Sequence, residues 1–189
     1  MLKLFNIFVF IVISLSGYSQ DKETLTISIL NNAKDFKDIE NIMDIVKTQK
    51  NIYKFVPHLH PIAPKDNPRV SSNFGMRFHP KDKVHKLHAG IDFVSVFAVS
   101  IHATADGTVK FAGKKGGYGK CVIIEHNYGF QTIYAHLTGY YAKKGQEVRA
   151  GKIIGFLGNT GKSTGAHLHY EIKKNNKAIN PFPFLQLNN

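Results

Sequence analysis

The chain has 189 residues, a formal net charge of +12 and one cysteine. That length accommodates one main domain with modest extras and a core of ordinary size. Cys121 alone excludes an intramolecular disulfide and a zinc–thiolate site, so any metal must be held by histidine and carboxylate. The positive charge favours polyanions such as an anionic cell-wall polymer or membrane surface. The lysines are scattered, however, and no nucleic-acid-reading motif is present, so nucleic acid is not an expected partner.

Residues 1–19 read as a secretory signal peptide. Lys3 supplies a short positive region, Leu4 to Leu15 is almost wholly apolar, and Gly17-Tyr18-Ser19 offers small residues for cleavage after Ser19. The apolar run is too short for an ordinary membrane span. No cysteine follows it that could carry a lipid, and an uncleaved anchor is the rival reading. Either way the mature protein works outside the cytoplasm, in the periplasm or cell wall, with no integral membrane span after cleavage.

Residues 20–66 form an N-terminal segment too small to be a domain. Leu25, Ile27 and Ile29 alternate with polar residues, which predicts one short strand. Phe36, Ile39, Ile42, Met43 and Val46 recur at helical spacing, which predicts a helix over 33–49 with Asn32 as its N-cap. Four prolines within 56–68 then mark a linker or extended arm. This arm contains His58-Leu59-His60 between Pro57 and Pro61, which reads as a decoy without a carboxylate partner. The alternative is an arm residue that fills the open position of a metal site.

Residues 67–185 form the main domain. Short apolar segments at 101–105, 107–112, 121–126, 131–136, 152–156 and 167–172 alternate with glycine turns such as Gly116-Gly117-Tyr118-Gly119 and Gly158-Asn159-Thr160-Gly161. That pattern predicts a mainly β fold, an antiparallel sandwich or barrel.

Three histidine clusters fall on these segments. In His167-Leu168-His169-Tyr170-Glu171, residues two apart on a strand share a face, so both imidazoles point one way. In His88-Ala89-Gly90-Ile91-Asp92, positions four apart share a face if the segment is extended. His136 is the third. Two imidazoles and one carboxylate would leave one coordination position for water, the catalytic type of zinc site. These spacings do not decide between His167 and His169 as ligand. Glu171, on the same face as His169, is a candidate partner for an imidazole N–H.

From Ser71 to Pro181 the chain resembles the lysostaphin/LytM-type zinc endopeptidases that hydrolyse bacterial peptidoglycan. The resemblance is carried by Ser71-Ser72-Asn73-Phe74-Gly75-Met76-Arg77-Phe78-His79-Pro80, by His88 to Phe93, by Ala103 to Gly107, and by Tyr134-Ala135-His136-Leu137. It continues through Gly145 to Gly151 and ends with Gly158 to His169. It implies the LytM-type β-sandwich/barrel-sandwich hybrid, Zn2+ held by His88, Asp92 and His169, and His136 and His167 as the catalytic histidines outside the ligand set. These imidazoles suit transfer of the water proton to the leaving amine and stabilisation of the oxyanion, in an unassigned division of labour. The substrate implied is a peptidoglycan peptide. Arg77, Tyr118 and Tyr134 are candidate substrate-binding residues, each equally readable as structural. His85, His102 and His126 read as surface or packing histidines. The stretch from Phe93 to His102 departs from the family's Pro- and Gly-containing turn. The competing functions are a non-catalytic LytM-type domain that binds wall or activates another hydrolase, and a biotinyl- or lipoyl-type carrier suggested by Gly145 to Gly151. The full set of five site residues argues against the first, and the lack of a carrier lysine between methionines argues against the second.

Overall fold

The computed structural model describes residues 20–79 and 84–187. The expected signal peptide, residues 1–19, lies outside the described residues.

Residues 20–32 are a helix, α1, and not the strand that the alternation of Leu25, Ile27 and Ile29 predicts. The competing signal is the spacing of Thr26, Leu30 and Ala33, which are buried while Leu25 is exposed. Thr24 and Thr26 satisfy their hydroxyls on carbonyls four residues back, as helical Ser and Thr often do. Asn32 also bonds back, to the Ser28 carbonyl, and does not cap a second helix. The predicted 33–49 helix starts late and is interrupted. A 3-10 turn at Glu40–Ile42 leads into α2 (Met43–Thr48), Gln49 leaves helical geometry at φ −95°, ψ 78°, and α3 (Lys50–Tyr53) comes next.

The remainder holds thirteen strands among the described residues: β1 (Arg69–Ser72), β2 (Gly75–His79), β3 (Val84–His88), β4 (Ile91–Val94), β5 (Ser100–His102), β6 (Gly107–Lys114), β7 (Lys120–Glu125), β8 (Phe130–Leu137), β9 (Gly139–Tyr140), β10 (Glu147–Val148), β11 (Ile153–Phe156), β12 (Leu168–Lys174) and β13 (Lys177–Ile179). A short helix, α4 (Phe182–Leu185), ends the described chain. The main sheet runs β1-β4-β12-β8-β7-β6-β10, with β13 paired to β12; β5-β11-β9 and β2-β3 form smaller sheets. All pairings are antiparallel. The fold is therefore mainly β, as the sequence predicts.

The two faces of the main sheet have different tasks. Val122, Ile124, Tyr134, Leu168, Tyr170 and Ile172 point into the principal core. Leu30, Ile39, Met43, Val46, Ile52, Val56 and Ile62 of the N-terminal segment complete that same core. Cys121, Ile123, Ile133 and Ala135 point the other way and form a small second cluster with Phe111 and Tyr118. Period-two alternation thus sends His169 and Glu171 to this second face.

The proline-rich arm is anchored on the core. The His58 and Leu59 amides donate to the Thr104 carbonyl, and the His102 amide donates to that of Pro61. His58 Nδ1 and His60 Nδ1 lie 2.7 and 2.6 Å from the carbonyls of Val56 and Ile62. The His60 ring packs edge-on to Phe93.

Candidate metal centre

His88 ends β3, and Asp92 is the second residue of β4. They belong to different sheets, so the face they share comes from the bend at Ala89-Gly90 and not from one extended strand. That bend lies against β12 so closely that a Cβ on Gly90 would sit 2.3 Å from the Tyr170 carbonyl oxygen, which only glycine permits. Asp92 then pairs in register with His169. Register, not sequence spacing, brings the third residue in.

The three donor atoms form a tight triangle. His88 Nε2 lies 3.1 Å from Asp92 Oδ1 and 3.1 Å from His169 Nδ1, and His169 Nδ1 lies 2.8 Å from Asp92 Oδ1. All three residues are buried. The opposite ring nitrogens fix the tautomers. His88 Nδ1 is 2.7 Å from the Asn73 carbonyl, and His169 Nε2 is 3.0 Å from the Glu171 carboxylate. Carbonyls and carboxylates only accept, so these two nitrogens carry the protons. With both rings neutral, the inner atoms are therefore two imidazole lone pairs and a carboxylate oxygen facing one another. Three buried acceptors so placed repel one another unless a positive charge, a proton or a metal cation, sits between them. Tetrahedral zinc at ~2.0–2.1 Å from its ligands sets them about 3.3 Å apart, so the triangle fits with a small expansion.

Electrostatics agree with this reading. Burial alone would raise the Asp92 carboxyl, but contacts from His169 and His88 hold it well below the usual carboxylate range. Burial alone would lower His169, but Asp92 and Glu171 push it up to about 9. Both shifts express one fact: the pocket attracts positive charge to the place where the three donors meet.

His136 and His167 stand beside the triangle. Their ring centroids are 4.7 Å apart, and His136 is 5.9 Å from His169. His136 should face the principal core with Tyr134, two residues earlier on β8. It reaches the cleft because its backbone is left-handed, at φ +60°, a conformation that costs a non-glycine residue roughly 1–3 kcal/mol and concentrates at functional sites. His136 Nδ1 is held 2.8 Å from the Thr160 carbonyl, and His167 Nδ1 is 2.9 Å from that of Gly165. Each ring thus presents Nε2 to the cleft; that of His167 lies 3.8 Å from Asp92 Oδ1. Burial, reinforced by His167 and His169, pushes His136 down to about 4 despite the Thr160 bond.

The site opens on a cleft of about 590 Å³. One wall is Gly117-Tyr118, another is Lys162-Ser163-Thr164, and Arg77, Lys86 and Leu87 from the β2–β3 sheet form a third. The first two walls touch backbone to backbone: a Cβ on Gly161, at φ +75°, would lie 2.3 Å from the Gly119 amide. The Tyr118 hydroxyl donates to Glu171 at 2.6 Å. Arg77 Nη2 lies 3.7 Å from Asp92 Oδ2. No residue of 20–66 lines this cleft, so the described N-terminal segment does not block it.

One predicted cleft residue is placed elsewhere. Tyr134 is fully buried in the principal core, and its hydroxyl accepts from the Thr104 amide at 2.9 Å and meets the Thr104 hydroxyl at 3.0 Å. The alternation along β8 turns it away from the site, so it does not line the groove. His126 is a buried packing histidine between the Asp106 carbonyl and the Thr132 hydroxyl. Sequence patterns do not single out Lys86, Leu87 or the carbonyls of Asn73 and Thr160. The carbonyls carry no side-chain signature, and the β2–β3 wall shows only as part of a family motif.

The fold and the donor set define a β domain built around two histidines and an aspartate that could hold a metal ion. The chain belongs to Peptidase family M23, whose family model matches residues 86–181. It is 47% identical over 120 residues to the DD-carboxypeptidase/endopeptidase Mpg of Neisseria meningitidis, covering 64% of this chain and 28% of that one. It is 39% identical over 113 residues to the peptidoglycan DD-endopeptidase ShyA of Vibrio cholerae, covering 59% and 26%. Among solved structures it is similar to a zinc-containing peptidase from Vibrio cholerae, with a TM-score of 0.62 and 32% identity over 66% of this chain and 39% of that one. The chain spans about a quarter of the length of the curated relatives it matches.

Proposed function

We propose that this chain is an exported zinc metalloendopeptidase that hydrolyses peptide cross-links of bacterial peptidoglycan. The observation that carries the reading is the buried triangle of donor atoms from His88, Asp92 and His169, flanked by two further imidazoles in an open cleft. Family membership and the peptidoglycan endopeptidase name of a relative support the substrate class. The apolar run from Leu4 to Leu15 supports export.

In this reading His88 Nε2, Asp92 Oδ1 and His169 Nδ1 hold the metal. When bound, zinc supplies a Lewis acid that polarises the scissile carbonyl and lowers the pKa of a coordinated water to about 7. His136 is neutral at pH 7, because its proton is lost by about pH 4, and its Nε2 lone pair faces the cleft. It and His167 take the proton of the attacking water and return it to the leaving amine. A protonated ring at either position also offers an N–H to the oxyanion. Tyr118 and Arg77 line the path of the peptide.

The test uses the full chain, intact sacculi and a zinc titration. Wild type should bind one zinc and release soluble wall peptides until a chelator is added. His88→Ala and Asp92→Ala should lose the metal. His136→Ala should keep it while turnover falls by about 10²–10⁴-fold, the usual worth of a positioned acid–base group. A zinc-loaded wild type inert toward every sacculus would instead leave a wall-binding domain without catalysis.

A further inference from the structure

We propose that Tyr118 and Glu171 are a positioning pair for the metal centre: Tyr118 fixes the Glu171 carboxylate, and Glu171 fixes and polarises His169. The inference rests on the metal-site reading above and extends it to two residues outside the donor set.

Glu171 is 1% exposed, among the most buried polar side chains described. Its Oε1 accepts from both His169 Nε2, at 3.0 Å, and the Tyr118 hydroxyl, at 2.6 Å. Its Oε2 accepts no hydrogen bond among the described residues and has only the Lys173 ammonium nearby, at 3.6 Å. A carboxylate so deeply placed carries a desolvation cost that an apolar side chain in the small second cluster would not. Stability therefore does not account for it. Its geometry does, because β12 alternation sets Glu171 beside His169 on the cleft face. The Gly90 bend closes over it from the other side, where a Cβ at Gly90 would come within 3.0 Å of Glu171 Cγ.

The donor ring is affected in two ways. In the neutral ring the hydrogen bond at Nε2 places the proton there and leaves a lone pair on Nδ1, which is the nitrogen that meets His88 and Asp92. The negative charge behind the ring also raises the basicity of that lone pair. Tyr118 belongs to the cleft wall, so its hydroxyl ties that wall to the donor set through one carboxylate.

The test is the zinc dissociation constant of the full chain, measured by competition with a chromophoric chelator, with Glu171→Gln, Tyr118→Phe and the double variant beside wild type. Glu171→Gln keeps the shape and removes the charge, and should weaken zinc by about 10–100-fold. Tyr118→Phe should weaken it less. The double variant should be no worse than Glu171→Gln, because both act through one contact. The absorption spectrum of the cobalt-substituted protein should shift in Glu171→Gln, which a merely structural loss would not cause. Zinc affinity in a folded Glu171→Gln equal to wild type overturns the inference while leaving the metal site standing. Should Glu171→Gln fail to fold, undiminished affinity in Tyr118→Phe overturns it. A wild type that binds no zinc removes the metal site itself, and this inference with it.

Discussion

At the scale of single residues, the candidate site side chains are legible in the sequence and their orientation is only partly so. His88, Asp92, His136, His167 and His169 all converge on one cleft. The reason for their convergence differs from the strand-face argument at two points. His88 and Asp92 meet through a bend between two sheets, and His136 meets the others by breaking strand alternation with a left-handed backbone. Neither feature has a residue signature, since the bend looks like any Ala-Gly pair and His136 looks like any strand residue. Tyr134 shows the opposite failure: two residues from His136, it follows the alternation and points into the core. Tyr134→Phe should therefore leave turnover per folded molecule unchanged. It should lower stability by about 1–3 kcal/mol in urea unfolding, because the buried Thr104 amide loses its acceptor.

At the scale of elements, the six strands expected from apolar runs all exist, with ends displaced by at most three residues. The short strands β1, β9, β10 and β13 are invisible to pattern because two to four residues leave too little periodicity to see. The N-terminal segment misleads for a physical reason. Leu25, Ile27 and Ile29 alternate, yet the contacts that decide are Thr26, Leu30 and Ala33, a helical stripe of mixed polarity. The end of α1 is also fastened to the end of β12, on the core face of the sheet. The buried Lys174 amine reaches the Asn31 carbonyl at 3.4 Å and lies over the Phe130 ring, a cation at a helix C-terminus. Leu30→Ala should destabilise the fold by about 2–5 kcal/mol. It should leave zinc affinity intact, since α1 packs on the face opposite the cleft. A metal affinity that fell with it would contradict that separation.

At the scale of the whole molecule, one sheet separates the core from the cleft, and a depressed histidine on each side, His126 and His136, makes the fold acid-sensitive. Burial, together with the nearby His58, pushes His126 down to about 4, although the Asp106 carbonyl partly opposes this. In the unfolded chain it titrates near 6.5. The unfolded state thus binds the extra proton in the window between. The stability this group contributes is complete above about pH 6.5 and is lost as pH falls toward 4. The loss is on the order of 3 kcal/mol at full extent. Urea unfolding from pH 7.5 to 4 should show this slope, and His126→Asn should reduce it, leaving the share of His136, which burial also pushes to about 4. An unchanged slope in that variant would assign the acid sensitivity to other groups.

The division of β12 into alternating tasks has a consequence for misfolding. A slip of one residue against β8 would exchange every side chain between faces. Leu168 and Tyr170 would then emerge among the cleft-side imidazoles, while a histidine and an uncompensated acid were driven into the hydrophobic core. Such a misthreaded chain would forfeit the donor triangle and its hydrophobic interior together, so the register that assembles the site is also the one that the folding equilibrium selects.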